Sequence, residues 1–165
     1  PPREWDDSAD EDQYRRAIYT WWQRTFPQPS LAAFDAPSRE ECVAERTRAN
    51  VPQQALALLN DPTYVEAARV FAARILREGG PSLDGRLRWA YERALGRAPR
   101  EEEAQILGAL LRKHRAQYRA DPRAAGLLAR AGLAPVPSDL DLVELAAWTS
   151  VARAILNLPE LITRS

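Results

Sequence analysis

Few side chains in this sequence belong to the types that perform catalysis or hold metals. Cys42 is the only thiol and His114 the only imidazole, so the chain lacks the ligands for a zinc, haem or iron–sulfur site. Cys42 has no histidine near it in sequence, and His114 shares a helical face with Leu107 and Leu111, which favours packing roles for both. No phosphate-binding loop or catalytic motif occurs. We therefore expect no metal or cofactor in this chain and no catalysis by the chain alone.

A group of polar side chains precedes and enters an apolar helical segment, and it is the best candidate for a binding site. Arg46, Arg48, Asn50 and Gln54 lie where the first backbone amides of that helix are free to bind an anion or a carboxylate. In the alternative interpretation, the two arginines pair with Asp35 or with the acidic N-terminus and so hold a long loop in place. Both interpretations remain open at this point.

The adjacent tryptophans Trp21 and Trp22 are the second candidate for binding. Neighbouring residues lie about 100° apart around a helix, so it is difficult to bury both indoles on one face. An exposed indole could stack on a sugar ring or dock on a neighbouring domain. The alternative is partial burial of the pair under the proline-rich loop that follows.

These candidate residues must be positioned by helices, which the sequence predicts through apolar periodicity and helix stop signals. Apolar spacing predicts a first helix over residues 8–25, and three prolines in residues 26–38 predict an extended, ordered connector. Further helices are expected over residues 52–60, 62–78, 82–95, 99–118, 122–131 and 142–157. The last of these is apolar nearly all round, which indicates a central position. We expect an all-α irregular bundle of about seven helices with a long proline-rich ordered loop.

Composition limits the possible partners. The 165 residues carry 23 basic and 23 acidic side chains, so overall charge does not favour nucleic acid or an anionic membrane. The basic run Arg112, Lys113, Arg115 and Arg119 is interpreted as a solvated helix face. No apolar run approaches the roughly 20 residues of a transmembrane segment. We expect one helical domain over residues 1–165, and the absence of Met suggests a piece excised from a larger multidomain protein.

Several segments have a specific joint spacing. They are RTFPQP at 24–29, FDAP at 34–37, Cys42, Arg46, NVPQQAL at 50–56, LLNDP at 58–62, and Leu156 and Asn157 followed by Glu160. Together they resemble the C-terminal uncharacterised domain of the planctomycete cytochrome c domain-containing proteins. The resemblance implies an exported, extracytoplasmic parent with an upstream c-type cytochrome module, a second uncharacterised domain and a link to degradation of complex polysaccharides. It places c-type haem only in another domain of that parent.

These observations lead to a functional hypothesis. We expect a non-catalytic accessory domain that binds the upstream domains of the parent, or polysaccharide, with no nucleic acid as partner. The expected ligand-binding residues are Arg46, Arg48, Asn50, Gln54, Asp35, Trp21 and Trp22. In the alternative, the domain supplies one wall of a composite active site, redox or hydrolytic, that the upstream domains complete.

Overall fold

Helices form all of the regular secondary structure in the described part of the chain. The computed structural model describes residues 11–15, 17–21, 26–37, 42–45 and 51–162. These residues contain no strand, which confirms the all-α prediction. Two short 3-10 helices, Glu11–Tyr14 and Ala17–Tyr19, precede the α-helices. The described α-helices are α1 Pro29–Ala33, α2 Pro52–Asn60, α3 Pro62–Glu78, α4 Leu83–Leu95, α5 Glu101–Ala120, α6 Pro122–Ala129, α7 Leu142–Leu156 and α8 Pro159–Ile162.

The chain divides into two compact units, which we describe separately. The first unit is Pro1–Ala57 and the second is Leu58–Ser165. The expectation of a single domain over residues 1–165 stays a prediction.

The first unit departs from the predicted helix over residues 8–25. Its described residues there form two 3-10 helices, and Tyr14 and Ile18 of the expected apolar face are exposed. An amphipathic helix is stable mainly through burial of its apolar face, and the large residues of that face that the structure describes, Tyr14, Ile18 and Trp21, are exposed. Residues 8–10, 16 and 22–25 of the predicted helix lie outside the described residues. The proline-rich connector also differs from the prediction, because α1 lies inside it. Pro29 takes the first helical position, which suits its fixed φ, and Gln28 Oε1 accepts a hydrogen bond from Leu31 N at 2.7 Å.

Side-chain caps set the predicted helix starts in the second unit. In each case a side-chain oxygen accepts a hydrogen bond from a backbone N–H two or three residues later, which satisfies one of the free donors of the first turn. Gly96 ends α4 in the left-handed conformation, with φ of 73°. The four-residue helix α8 was not predicted. The capping bonds are Asp61 to Thr63 N at 2.8 Å, Ser82 to Gly85 N at 3.0 Å, Asp121 to Ala124 N at 3.1 Å and Asp141 to Glu144 N at 2.9 Å.

Helix α7 lies at the centre of the second unit, as its apolar composition predicts. It packs against α3, α5 and α6. Trp148 is 1% exposed, and the core residues Leu145, Val151 and Ile155 are fully buried. Each large apolar side chain of this kind contributes about 1.5–3 kcal/mol when it leaves water. The central helix therefore holds the three surrounding helices together.

Two charged residues of α3 are buried, and both bind the loop that connects α6 to α7. Arg69 is 1% exposed and donates hydrogen bonds to three backbone carbonyls, those of Ala131 at 3.3 Å, Ala134 at 2.6 Å and Pro135 at 3.1 Å. Glu66, 2% exposed, accepts a hydrogen bond from the backbone N–H of Leu133. The loop itself is largely exposed, and these hydrogen bonds from two buried side chains of α3 hold its backbone against the helix.

Substitution of Arg69 by Met tests the importance of this connection. Met retains much of the aliphatic length but cannot donate the three hydrogen bonds that the buried guanidinium makes, so we expect the free energy of unfolding to fall by about 3 kcal/mol. Urea denaturation followed by circular dichroism measures the change. The matched control is Arg88→Met, at an exposed position of α4, which should change stability by less than about 0.5 kcal/mol. Equal effects of the two substitutions would contradict the assignment.

Substitution of two glycines tests whether the loop packs closely on Glu66. Gly132 and Gly80 both have positive φ, 83° and 79°. A Cβ atom on Gly132 would overlap the Glu66 side chain, whereas one on Gly80 would meet nothing within 4 Å. Alanine at either site carries the same backbone strain, so we expect Gly132→Ala to lower the melting temperature clearly more than Gly80→Ala. Calorimetry of both variants gives the difference, and similar shifts would disprove close packing at Gly132.

Candidate functional site

Two of the predicted binding residues, Asp35 and Gln54, contact each other in the first unit. Gln54 Nε2 donates a hydrogen bond to Asp35 Oδ2 at 3.2 Å. Gln54 is buried in the first turn of α2, and Asp35 follows the end of α1. The sequence therefore identified two residues that the fold of this unit brings together, although they are 19 positions apart.

The backbone at Asp35 explains how its carboxylate is held. Its φ is 56°, and it is the one non-glycine residue with positive φ in the described part of the chain. Asp35 N donates to Ala32 O at 3.2 Å and Ala36 N donates to Leu31 O at 3.0 Å, the two hydrogen bonds of a Schellman motif that closes α1. Glycine is the usual residue at this position, and an L-residue costs about 1 kcal/mol there. The backbone at Asp35 is therefore strained, and this strained position carries a carboxylate.

Four other predicted binding residues lie outside the described residues: Arg46, Arg48, Asn50 and Trp22. Pairing of the arginines with Asp35 stays a prediction, and so does an anion site at the start of α2.

Trp21 lies in a segment of exposed large side chains. It is 70% exposed, and Tyr19 and Ile18 in the preceding 3-10 helix are 71% and 75% exposed. Tyr14 is also largely exposed. Partial burial of the tryptophan pair is therefore wrong for Trp21, and the exposed alternative holds. Several large apolar side chains exposed within eight residues are typical of an interaction surface.

Cys42 and His114 differ in how well the sequence predicted them. Cys42 is exposed, so the expectation of a packed thiol is wrong. The predicted packing role of His114 is confirmed, because its ring is half-buried and stacks on Tyr118 at a centroid distance of 5.9 Å. Burial lowers the pKa of His114, with smaller contributions from the charges of Lys113 and Arg153.

Sequence reasoning missed an apolar groove in the second unit. The groove has a volume of about 450 Å³ and lies along α5, beside the end of α7 and the start of α8. Ile106, Leu110 and Leu158 form its sides, and the buried Leu107 and Ile155 form its floor. The signal in the sequence was the width of the apolar face of α5. Beside the buried Leu107 and Leu111 this face includes Ile106, which is exposed. Periodicity alone could not show that this face remains partly uncovered.

Glu103, one of the residues that line the groove, is bound by an arginine that has two carboxylate partners. Arg97 donates to both oxygens of Glu103 at 2.8 Å, and to Glu160 Oε2 at 2.7 Å. Glu103 Oε2 also accepts the backbone N–H of Arg100 at 2.7 Å, which caps α5. These interactions lower the pKa of Glu103 to about 2, chiefly through the hydrogen bonds from Arg97, and raise the pKa of Arg97. Arg97 joins the turn after α4 to α5 and α8.

Two further observations concern metal ions and membranes. Among the described residues, no group of three or more His, Cys, Asp or Glu side chains is placed to hold a metal ion. No described helix is both long and apolar enough to cross a membrane.

Comparison with known proteins identifies a family. Residues 1–111 match the PSD1 family, which is described as a protein of unknown function (DUF1553). The match includes every residue predicted to bind ligand and ends within α5, before α7. No curated protein matches the chain, and no solved structure does.

The carboxylate of Glu103 should make the second unit sensitive to acid. Its pKa of about 2 in the folded chain is below the ordinary value of 4.5, so its stabilising effect is present above about pH 4.5 and is lost as the pH falls towards 2. Glu103→Gln keeps an acceptor for Arg100 N but removes the charge. We expect this variant to lose less stability than the wild type between about pH 5 and pH 2 in pH-dependent urea denaturation. Glu102→Gln on the exposed side of α5 is the control, and it should leave the pH profile unchanged.

Proposed function

The chain belongs to the PSD1 family of proteins of unknown function (DUF1553), and we propose that it is a non-catalytic accessory domain that binds polysaccharide. The observation that carries this proposal is the exposure of two aromatic rings, Tyr19 and Trp21, two positions apart in the first unit. Indole and phenol rings present a broad apolar face together with one polar hydrogen-bonding group. A sugar ring offers the complementary combination of C–H faces and hydroxyl groups.

The proposal extends to the parent protein. The family resemblance of the loop and cap sequences supports a planctomycete, extracytoplasmic protein with a c-type cytochrome module upstream and a role in polysaccharide degradation. In such a parent, this domain would hold the substrate while chemistry takes place elsewhere. A Cys-x-x-Cys-His sequence upstream of Pro1, after an export signal, is the feature that this extension requires.

Docking of an upstream domain is the second candidate function. It is favoured by Ile18, whose aliphatic side chain is 75% exposed beside the aromatic pair. An aliphatic side chain adds to a protein interface by burial, but it offers no ring face to a sugar. The composite active site stays a prediction. The feature that supports it is Asp35, whose carboxylate is carried by a strained backbone position.

Isothermal titration of the chain with cellohexaose and xylohexaose tests the leading proposal. We expect binding that Trp21→Ala weakens about fivefold or more, because an aromatic contact contributes about 1 kcal/mol beyond the area it buries. Ile18→Ser is the matched control from the same segment and should bind the oligosaccharide as the wild type does.

The same variants separate the two functions. Loss of binding to the upstream parent domains in both Trp21→Ala and Ile18→Ser, without any oligosaccharide binding, would replace the polysaccharide proposal with domain docking. Oligosaccharide binding that is unchanged in Trp21→Ala would disprove the role of this ring.

A further inference from the structure

The apolar groove along α5 carries an inference that is independent of the polysaccharide proposal, because it uses other residues in the other unit. Its floor is part of the core, with Leu107 at 7% and Ile155 at 0% exposure, so the floor is held rigidly. Its outer side is formed by Ile106, which is 68% exposed. An apolar concave surface with a firm floor and an open side is suited to an apolar ligand.

The charge of the groove is unequal at its two ends. Glu103 and Lys113 are the charged residues among those that line it. Both oxygens of Glu103 are occupied by Arg97, and one of them also accepts the Arg100 backbone N–H. Lys113 is exposed and makes no hydrogen bond or ion pair with any described residue. It is also the only lysine in the chain. A ligand in the groove therefore meets one available charge, an ammonium group.

Helix geometry places this ammonium in line with the apolar side chains. Residues 103, 106, 110 and 113 follow each other at intervals of three or four positions, so they share one face of α5. From Glu103 to Lys113 the helix rises about 15 Å. An extended hydrocarbon chain of about twelve carbons, with C–C bonds of about 1.5 Å, has a similar length.

We infer that this groove binds a fatty-acid-like ligand, with its alkyl chain along Ile106, Leu110 and Leu158 and its carboxylate at Lys113. A carboxylate on a single alkyl chain supplies one negative charge, which matches the single exposed ammonium. The size and lining of the groove also suit this occupant. Its volume of about 450 Å³ lies within the range of small-molecule pockets, and eight of its ten lining residues, all but Glu103 and Lys113, are uncharged and mostly apolar.

Titration calorimetry with three ligands of equal chain length tests the inference on the full chain. Dodecanoate, dodecanol and dodecyltrimethylammonium share one alkyl chain but carry a negative, a neutral and a positive head group. The two ionic ligands are used below their micelle concentrations and dodecanol below its aqueous solubility. We expect dodecanoate to bind most tightly and dodecyltrimethylammonium least tightly. Equal affinity for the three, or binding of none, would overturn the inference.

Variants locate the ligand in the groove. Lys113→Gln should weaken dodecanoate about threefold to tenfold and leave dodecanol unchanged, because only the carboxylate loses its partner. Arg112→Gln, an exposed neighbour on the same helix that does not line the groove, should change neither affinity. Ile106→Asp should weaken dodecanoate and dodecanol together, and far-UV circular dichroism checks that it remains folded.

Other results would assign the groove to another occupant. If Arg112→Gln weakened dodecanoate binding as much as Lys113→Gln does, the affinity would depend only on the positive charge of this part of the surface and not on a pair with Lys113. A wild-type dimer that Ile106→Asp converts to a monomer, with no affinity for dodecanoate, would show that a second copy of the chain covers the groove. Either result contradicts the inference.

Discussion

The buried guanidinium of Arg69 and the carboxylate of Glu66 are the constraint on which the second unit depends. Both belong to α3, and both bind the backbone of the loop between α6 and α7. Burying charged groups is costly unless each has hydrogen-bond partners, and the loop provides them as carbonyl and N–H groups. The loop is held in turn by these hydrogen bonds, which fix the positions of Ala131, Leu133, Ala134 and Pro135 against α3. The result is a fixed path by which the chain leaves α6 and enters α7.

That path places α7 in the core and determines the surface around it. The helix is covered by α3, α5 and α6, and its alanines allow these neighbours to approach closely. Near the C-terminal end of α7, Ala154 and Ile155 line the groove together with Leu158. The outer face of α5 remains open above this floor, and Arg97 holds the groove residue Glu103 together with Glu160 of α8.

The first unit has a different character. Its notable features are polar and aromatic: a carboxylate held at a left-handed position, a buried amide that binds it, and a short segment of exposed rings. The family match covers this unit completely and stops within α5. The features that suit recognition of a polar ligand and those that suit an apolar one are thus carried by separate units of one chain.

The sequence by itself determined where α3, α4, α6 and α7 begin, since the side chains of Asp61, Ser82, Asp121 and Asp141 each accept a hydrogen bond from a backbone N–H only two or three residues later. It also determined that α7 is buried, because a helix that is apolar on all sides has no solvated face. Local periodicity failed for the described residues 11–15 and 17–21, because it cannot show whether an apolar face finds a partner. Only the tertiary structure decided the roles of Arg69, Arg97 and the groove. Arg69 and Arg97 act on groups more than 60 positions away, and such distances are closed by the packing of whole helices, which no local pattern encodes.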